Sequence, residues 1–379
     1  MTIDLDAVRA RLSAAGLGAR PAEVAGVLAD LGHVVSDGAL LATVDALRRE
    51  STGAGPLDEL LRLPGITDVL VNGPHEVWID RGRGLERSAA AFTDDASVRR
   101  LAVRLAALVG RRLDDSSPFV DARLPDGTRV HAVLACVAGQ TCLSLRVPAR
   151  TALTLADWEA GGGLTAQGRA VLTGLVRQRR AVLVTGGTGS GKTTLLASLL
   201  GVVDAGERLV IVEDSRELCP DHPHAVRLEA RSANAEGAGR VGLTDLVRNA
   251  LRMRPDRIVV GEVRGAELAD LLAALNTGHE GGLGTVHANA PASVPARLEA
   301  LGALGGLGRH ALHAQVAAAL DAVVHVRRAG DGRRFVSTIG VVRAGSDGLV
   351  RVESALTWDD AGVARAGPAA ADLTVLAGA

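Results

Sequence analysis

The stretch AVLVTGGTGSGKTTLLASLL, residues 181–200, joins an apolar strand, a glycine-rich loop and a helix in that order. Gly186, Gly191, Lys192 and Thr193 satisfy the spacing GxxxxGK[ST]. The loop Gly186, Gly187, Thr188, Gly189, Ser190, Gly191 can turn its backbone N–H groups inward and approach a phosphate closely. The helix that begins near Lys192 adds the positive end of its dipole. Lys192 is expected to reach β- and γ-phosphates, Thr193 Oγ to ligate Mg²⁺, and Thr194 to complete the loop. The plain alternative, a glycine turn between strand and helix, is outweighed by this context. The expected ligand is ATP with Mg²⁺.

Lysine and arginine together number 42, yet Lys192 is the single lysine, and tyrosine is absent. A coding bias explains why lysine is missing elsewhere but not why it survives here. An ammonium is a compact point charge, whereas guanidinium is a wide planar fork. The former fits inside a loop curled round a phosphate.

Further along the chain, polar residues end apolar strands. LVIVEDSREL places Glu213 and Asp214 at a strand end, where ligands of parallel α/β sheets sit. Glu213 can orient water or hold Mg²⁺ in its outer shell, or be a helix cap. RPDRIVVGEVRG ends in Gly261-Glu262, where a phosphate-loop fold commonly has a metal-holding aspartate. Glu262 is long enough to reach Mg²⁺-bound water or the attacking water, so the base stays open between Glu213 and Glu262. NTGHEGGLGTVHANA adds His279 and His287, the latter placed to donate to a γ-phosphate oxygen. Cys219, Asp221, His222 and His224 in CPDHPH match no zinc spacing and read as a surface turn.

The 379 residues imply two or three domains. Residues 1–52 read as helical, near 5–14, 22–31 and 39–49. Residues 56–148 read as a small α/β domain, with strands at 68–71, 76–80, 129–135 and 141–147 and a helix at 97–108. Residues 149–163 read as a linker whose closing Gly161-Gly162-Gly163 suggests a hinge. Residues 164–355 alternate strands (181–185, 209–212, 257–260, 283–287) with helices, which implies a parallel sheet. A further strand pair is expected within 333–353, and residues 356–379 as a poorly ordered tail.

The net charge of −1 argues against nucleic acid as the main partner. Arg177, Arg179 and Arg180 read as solvated helix ends. Three cysteines without a CxxC pair fit a reducing cytosol. No apolar run approaches the roughly 20 residues of a bilayer span, so membrane association is expected to go through a partner.

These four stations resemble the secretion ATPase superfamily of type II secretion, type IV pili and type IV secretion. There they are called Walker A, Asp box, Walker B and His box. TDVLVNGP at 67–74, VGRRLDDSSPFVDARLPDGTRV at 109–130, HPHAVRLEARSANAEG at 222–237, LVRNALRMRPDRIVVGEVRGAE at 246–267 and NTGHEGGLGTVHANAP at 276–291 resemble its TadA/CpaF branch. That branch powers tight-adherence pili. The resemblance implies a RecA-like motor domain, a PAS-like N-terminal α/β domain and a homo-hexamer. It also implies nucleotide between the two domains and an inner-membrane platform partner. By the same resemblance, Arg123, Arg129 and Arg146, with Arg231 and Arg252 in the motor domain, are candidates to approach the γ-phosphate. The family often has serines where Gly282 and Gly284 stand, which suggests looser phosphate sensing here. It often has prolines after Arg231, so the loop RSANAEG is expected to be more mobile. A DNA-transfer ATPase and a nucleotide-gated scaffold with little turnover are the alternatives.

Overall fold

A computed structural model describes residues 3, 5–15, 17, 20–33, 35–52, 54–82, 84–148, 152–231 and 239–378. Residues 232–238, which hold most of RSANAEG, lie outside the described residues, and with them the expectation of greater mobility there. The chain divides into two units, Met1–Pro148 and Ala149–Ala379.

The first unit opens with helices Leu5–Ala14, Pro21–Asp30 and Asp37–Thr52. Val8, Leu12, Val24, Val27, Leu28, Val44 and Leu47 recur at helical spacing and close a small apolar core of their own. Among the described residues, six strands follow: β1 (Asp68–Val71), β2 (Val77–Asp80), β3 (Leu85–Arg87), β4 (Phe119–Arg123), β5 (Arg129–Val133) and β6 (Cys142–Arg146). They form an antiparallel sheet in the order β3-β2-β1-β6-β5-β4. The helix Asp95–Ala107 starts where Asp94 accepts from the Ser97 N–H at 2.7 Å. It buries Val98, Leu101, Ala102 and Leu105 in the core shared with the sheet.

The second unit contains β7 (Val182–Gly186), β8 (Leu209–Glu213), β9 (Ala225–Glu229), β10 (Arg257–Val260) and β11 (Leu283–His287). It continues with β12 (Ala322–Arg328), β13 (Arg334–Ala344), β14 (Val350–Trp358) and β15 (Ala364–Ala366). Their order is β15-β14-β13-β12-β7-β11-β10-β8-β9. From β12 to β9 neighbours are parallel, and β12 to β15 are antiparallel. The central strands β7, β8 and β10 are buried along their whole length, which is why they read as continuous apolar runs. The result is the RecA-like α/β arrangement, and β7 carries the phosphate loop at its C-terminal end.

Two expectations change. The expected tail 356–379 is ordered over its described residues, 356–378: β14 runs through Trp358, β15 pairs with it, and the helix Ala370–Ala377 follows. That helix buries Leu373 and Ala377 and lies so close to the helix Ala166–Arg177 that a side chain at Gly174 would strike the Ala377 carbonyl. Alanine and glycine here serve close approach rather than disorder. Nor is the glycine triplet a free hinge. Gly161 ends the helix Leu155–Ala160, and Gly163 accepts from the Val336 N–H at 2.9 Å. A side chain at Gly163 would lie 2.5 Å from the Arg334 carbonyl.

Candidate functional site

The phosphate loop is shaped by contacts only glycine permits. Gly186 has φ 151°, and a Cβ there would lie 2.4 Å from the Val326 carbonyl on β12. Gly191, at φ 100°, stands immediately before the helix Lys192–Leu200. The Gly187 carbonyl accepts from Ser190 Oγ at 2.9 Å and from Lys192 Nζ at 2.8 Å. Lys192 is 7 % exposed. Burial pulls its pKa below the ordinary lysine value, and the charges of Glu262 and Glu217 oppose that pull.

The parallel pairing of β7 with β11 puts His287 opposite Gly186. Lys192 Nζ is 3.3 Å from His287 Nδ1, and His287 Nε2 is 2.7 Å from Glu262 Oε1. An ammonium has no lone pair, so Nδ1 accepts and Nε2–H donates to Glu262. Lys192, His287 and Glu262, from three motifs, thus form one chain.

Glu213 ends β8 and is 2 % exposed. Its Oε1 accepts from the N–H groups of Glu217 and Leu218, both at 2.7 Å, while Oε2 is 3.6 Å from Arg227 Nη2. Burial raises its pKa, against those N–H groups and Arg227, which favour the anion. A Cβ at Gly261 would lie 2.8 Å from Glu213 Cγ. Glycine before Glu262 therefore makes room for the neighbouring carboxylate. Asp214 pairs instead with Arg264.

Other sequence candidates lie elsewhere. His279 precedes β11 and so sits at the strand end opposite His287. Arg252 is exposed on the turn Leu251–Met253, which precedes β10 and stands likewise at the end away from the loop. Arg231 follows β9, and its Nε donates to the Gly239 carbonyl at 2.7 Å. It borders a cavity of about 440 Å³ with Asp214, Arg240 and Arg264. Gly282 and Gly284 are core positions. Side chains there would meet Leu275 and the Ile258 carbonyl, or the Val260 carbonyl and Leu183, so serine hydroxyls would not face the loop. In the first unit, Arg123 pairs across strands with Arg129, and Arg129 with Arg146. Three like charges side by side repel, and Arg146 Nε donates to Asp68 Oδ1 at 3.0 Å. In CPDHPH, His222 Nε2 meets the Asp204 carbonyl at 3.0 Å and His224 Nε2 meets Arg208 at 2.9 Å.

Sequence reasoning missed two neighbours of the loop. His325 on β12 is 3 % exposed and holds Thr185 Oγ1 at 2.8 Å. Burial first, then Arg327 and Lys192, push its pKa down to about 4. Arg334 on β13 donates from Nε to the Gly189 carbonyl at 3.2 Å. Neither lies in a motif: the register of β12 on β7 sets His325 opposite Thr185, and β13, which carries Arg334, pairs in turn with β12.

The donors suit a nucleotide with a hard dication. The glycine amides and Lys192 match phosphate oxygens, and the Thr193 hydroxyl and Glu262 carboxylate are oxygen ligands of the kind Mg²⁺ takes. No helix of the described residues is long and apolar enough to cross a membrane.

A family model described as type II/IV secretion system protein matches residues 50–335. A protein of Mycobacterium tuberculosis (strain H37Rv) named for conjugal transfer is 55 % identical over 332 residues, 86 % of this chain and 94 % of its own length. The type IV secretion system protein VirB11 of Brucella suis biovar 1 is 34 % identical over 264 residues, 62 % of this chain and 72 % of that one. Among solved structures, the Legionella pneumophila ATPase DotB aligns with a TM-score of 0.55 at 22 % identity, covering 78 % of this chain and 80 % of its own. The pilus retraction motor PilT aligns at 0.54 and 20 %, covering 75 % and 81 %. Those two likenesses concern the fold.

Proposed function

The chain belongs to the type II/IV secretion system protein family, and from that premise we propose that it is an ATPase motor driving a pilus-assembly or secretion machine. The observation that carries this reading is the chain Lys192–His287–Glu262 beside the buried Glu213. It sets a phosphate-binding cation, a donor and two carboxylates at one sheet edge. Lys192 holds the β- and γ-phosphates of ATP, and His287 follows the γ-phosphate. Glu213 is assigned the proton of the attacking water: its Oε1 is fixed by two N–H groups, and Oε2, enclosed 3.6 Å from Arg227, carries no hydrogen bond from the described residues until a water enters. Glu262 and the Thr193 hydroxyl would hold Mg²⁺, which would neutralise phosphate charge. The products are ADP and phosphate. The arginine row of the first unit and Arg231 are proposed as anion-binding groups, and Arg252 as one that acts on a neighbouring copy.

In this reading six copies form the working ring, which acts at the cytoplasmic face of a membrane through an inner-membrane platform protein. Assignment to the tight-adherence (TadA/CpaF) branch rests on the quoted sequence blocks. The test is Mg²⁺-dependent release of phosphate from ATP by the purified chain, measured against protein concentration. Activity is expected to rise steeply as copies associate and to vanish in Lys192→Ala. Turnover unchanged by that substitution removes the enzymatic reading for this site.

A second reading, a DNA-transfer ATPase, is favoured by the name of the 55 % identical relative. It predicts hydrolysis stimulated by DNA with a steep salt dependence.

A further inference from the structure

Two segments far apart in sequence close on the outside of the phosphate loop. Arg334, 145 residues from Gly189, donates from Nε to its carbonyl at 3.2 Å. A Cβ at Gly191 would lie 3.0 Å from Arg334 Cδ and 3.2 Å from Trp158 Cη2. The two side chains thus cover the α-carbon of the residue before the phosphate helix. Trp158 is 6 % exposed and donates from Nε1 to Ser198 Oγ at 3.0 Å. Ser198 Oγ lies 2.5 Å from the Leu153 carbonyl, to which it donates. Gly163 packs between the Trp158 ring and the Arg334 carbonyl. Neighbouring arginines of the hairpin turn elsewhere: Arg327 pairs with Asp360, Arg328 donates to the Gly332 carbonyl and Arg333 to the Gly162 carbonyl.

The loop needs such support. A Cβ at Gly187 or Gly189 would meet nothing within 4 Å, so packing does not confine those residues. Glycine also has the most backbone freedom to lose. A loop that samples many shapes binds in proportion to the fraction that is competent.

We propose that Arg334 is a positioning residue for nucleotide binding. It anchors the Gly189 carbonyl outside the loop and, with Trp158 over Gly191, holds the loop in its phosphate-binding shape. This rests on reading the loop as a nucleotide site. Arginine suits the task because one nitrogen bonds the carbonyl while the stem packs on Gly191.

The test uses the full chain and the variants Arg334→Ala and Arg334→Lys. Three quantities are read: hydrogen exchange across residues 187–191 without nucleotide, the Kd for Mg·ADP, and the thermal midpoint. In Arg334→Ala, exchange should quicken and the Kd weaken, each roughly 5- to 10-fold, the scale of one lost hydrogen bond. The midpoint should stay close to wild type, and Arg334→Lys should fall between the two. Equal exchange and affinity in wild type and Arg334→Ala overturn the proposal, as does a fall in midpoint that accounts for the loss and that lysine does not recover. Wild-type protein that takes up no Mg·ADP overturns the nucleotide reading and this proposal together. Wild type that binds while Arg334→Ala binds equally overturns this proposal alone.

Discussion

Lys192 and His287 meet at 3.3 Å although 95 residues separate them, because β7 and β11 run in parallel with Gly186 opposite His287. The contact passes on to Glu262 at 2.7 Å. The single lysine of the chain therefore shares an imidazole with a carboxylate of the next strand.

His287→Ala breaks that chain while leaving the loop glycines and Lys192. Hydrolysis is expected to fall roughly 10²-fold, the scale for losing one donor to a developing charge. The Kd for Mg·ADP should change less than about threefold, since ADP lacks the phosphate this histidine is assigned. Steady-state kinetics beside calorimetry measure both, and unchanged turnover removes His287 from the mechanism.

Glu213→Gln is expected to lower kcat by roughly 10²- to 10⁴-fold with nucleotide still bound, as befits a general base. Glu262→Gln should instead raise the Mg²⁺ concentration at which hydrolysis is half-maximal. If Glu213→Gln turns over normally, the base is not Glu213.

The pH profile tests the same carboxylate. Burial raises the Glu213 pKa, and Arg227 near Oε2 opposes the rise. The acidic limb of hydrolysis should lie above the ordinary glutamate range. Arg227→Gln removes the opposing charge, so the limb should move to higher pH. Superimposable profiles would show that the limb belongs to another group.

His325 makes the fold itself acid-sensitive. Its folded pKa of about 4 lies below the unfolded value of 6.5. The unfolded chain therefore binds the proton first, and stability falls as pH drops from about 6.5 to 4. The whole shift corresponds to about 3 kcal/mol. Denaturant melts at pH 7 and pH 5 should differ in wild type and less so in His325→Gln. A variant with the same pH slope as wild type contradicts the assignment.

At the sheet end away from the loop, Arg257 is fully buried and bonds Glu207 through Nε and Nη2 at 2.8 and 2.9 Å. Arg179 joins the same carboxylate at 2.9 Å. Arg257→Ala leaves a pocket and a half-paired carboxylate, and is expected to cost about 3 kcal/mol in urea unfolding. Nucleotide affinity of the folded protein should not move. A cost under about 1 kcal/mol would mean the pair is not held as described.

Much of the RecA-like fold was legible. Buried parallel strands must be apolar throughout, so 257–260 and 283–287 read as strands with the limits the structure has, and 181–185 is displaced by one residue. The edge strand Ala225–Glu229 was not recognised, since its alternating AVRLE is half-buried and looks like loop sequence. The short β3, Leu85–Arg87, is exposed throughout and carries no apolar signal. The strand pair expected within 333–353 is β13 with the start of β14, but the end of β14, β15 and the last helix read as tail, because alanine and glycine are equally common in close-packed helices and in loose tails.

The sequence by itself determined the strand–loop–helix of the phosphate site and put Glu213, Glu262 and His287 at the ends of apolar strands. Glycine spacing, apolar runs and helix starts are local properties, written in neighbouring residues. Only the tertiary structure decided that Lys192, His287 and Glu262 touch, that Arg252 and His279 stand at the far end, and that Arg334 and Trp158 brace the loop. Those relations depend on strand order and register, which are set by packing between segments as much as 145 residues apart.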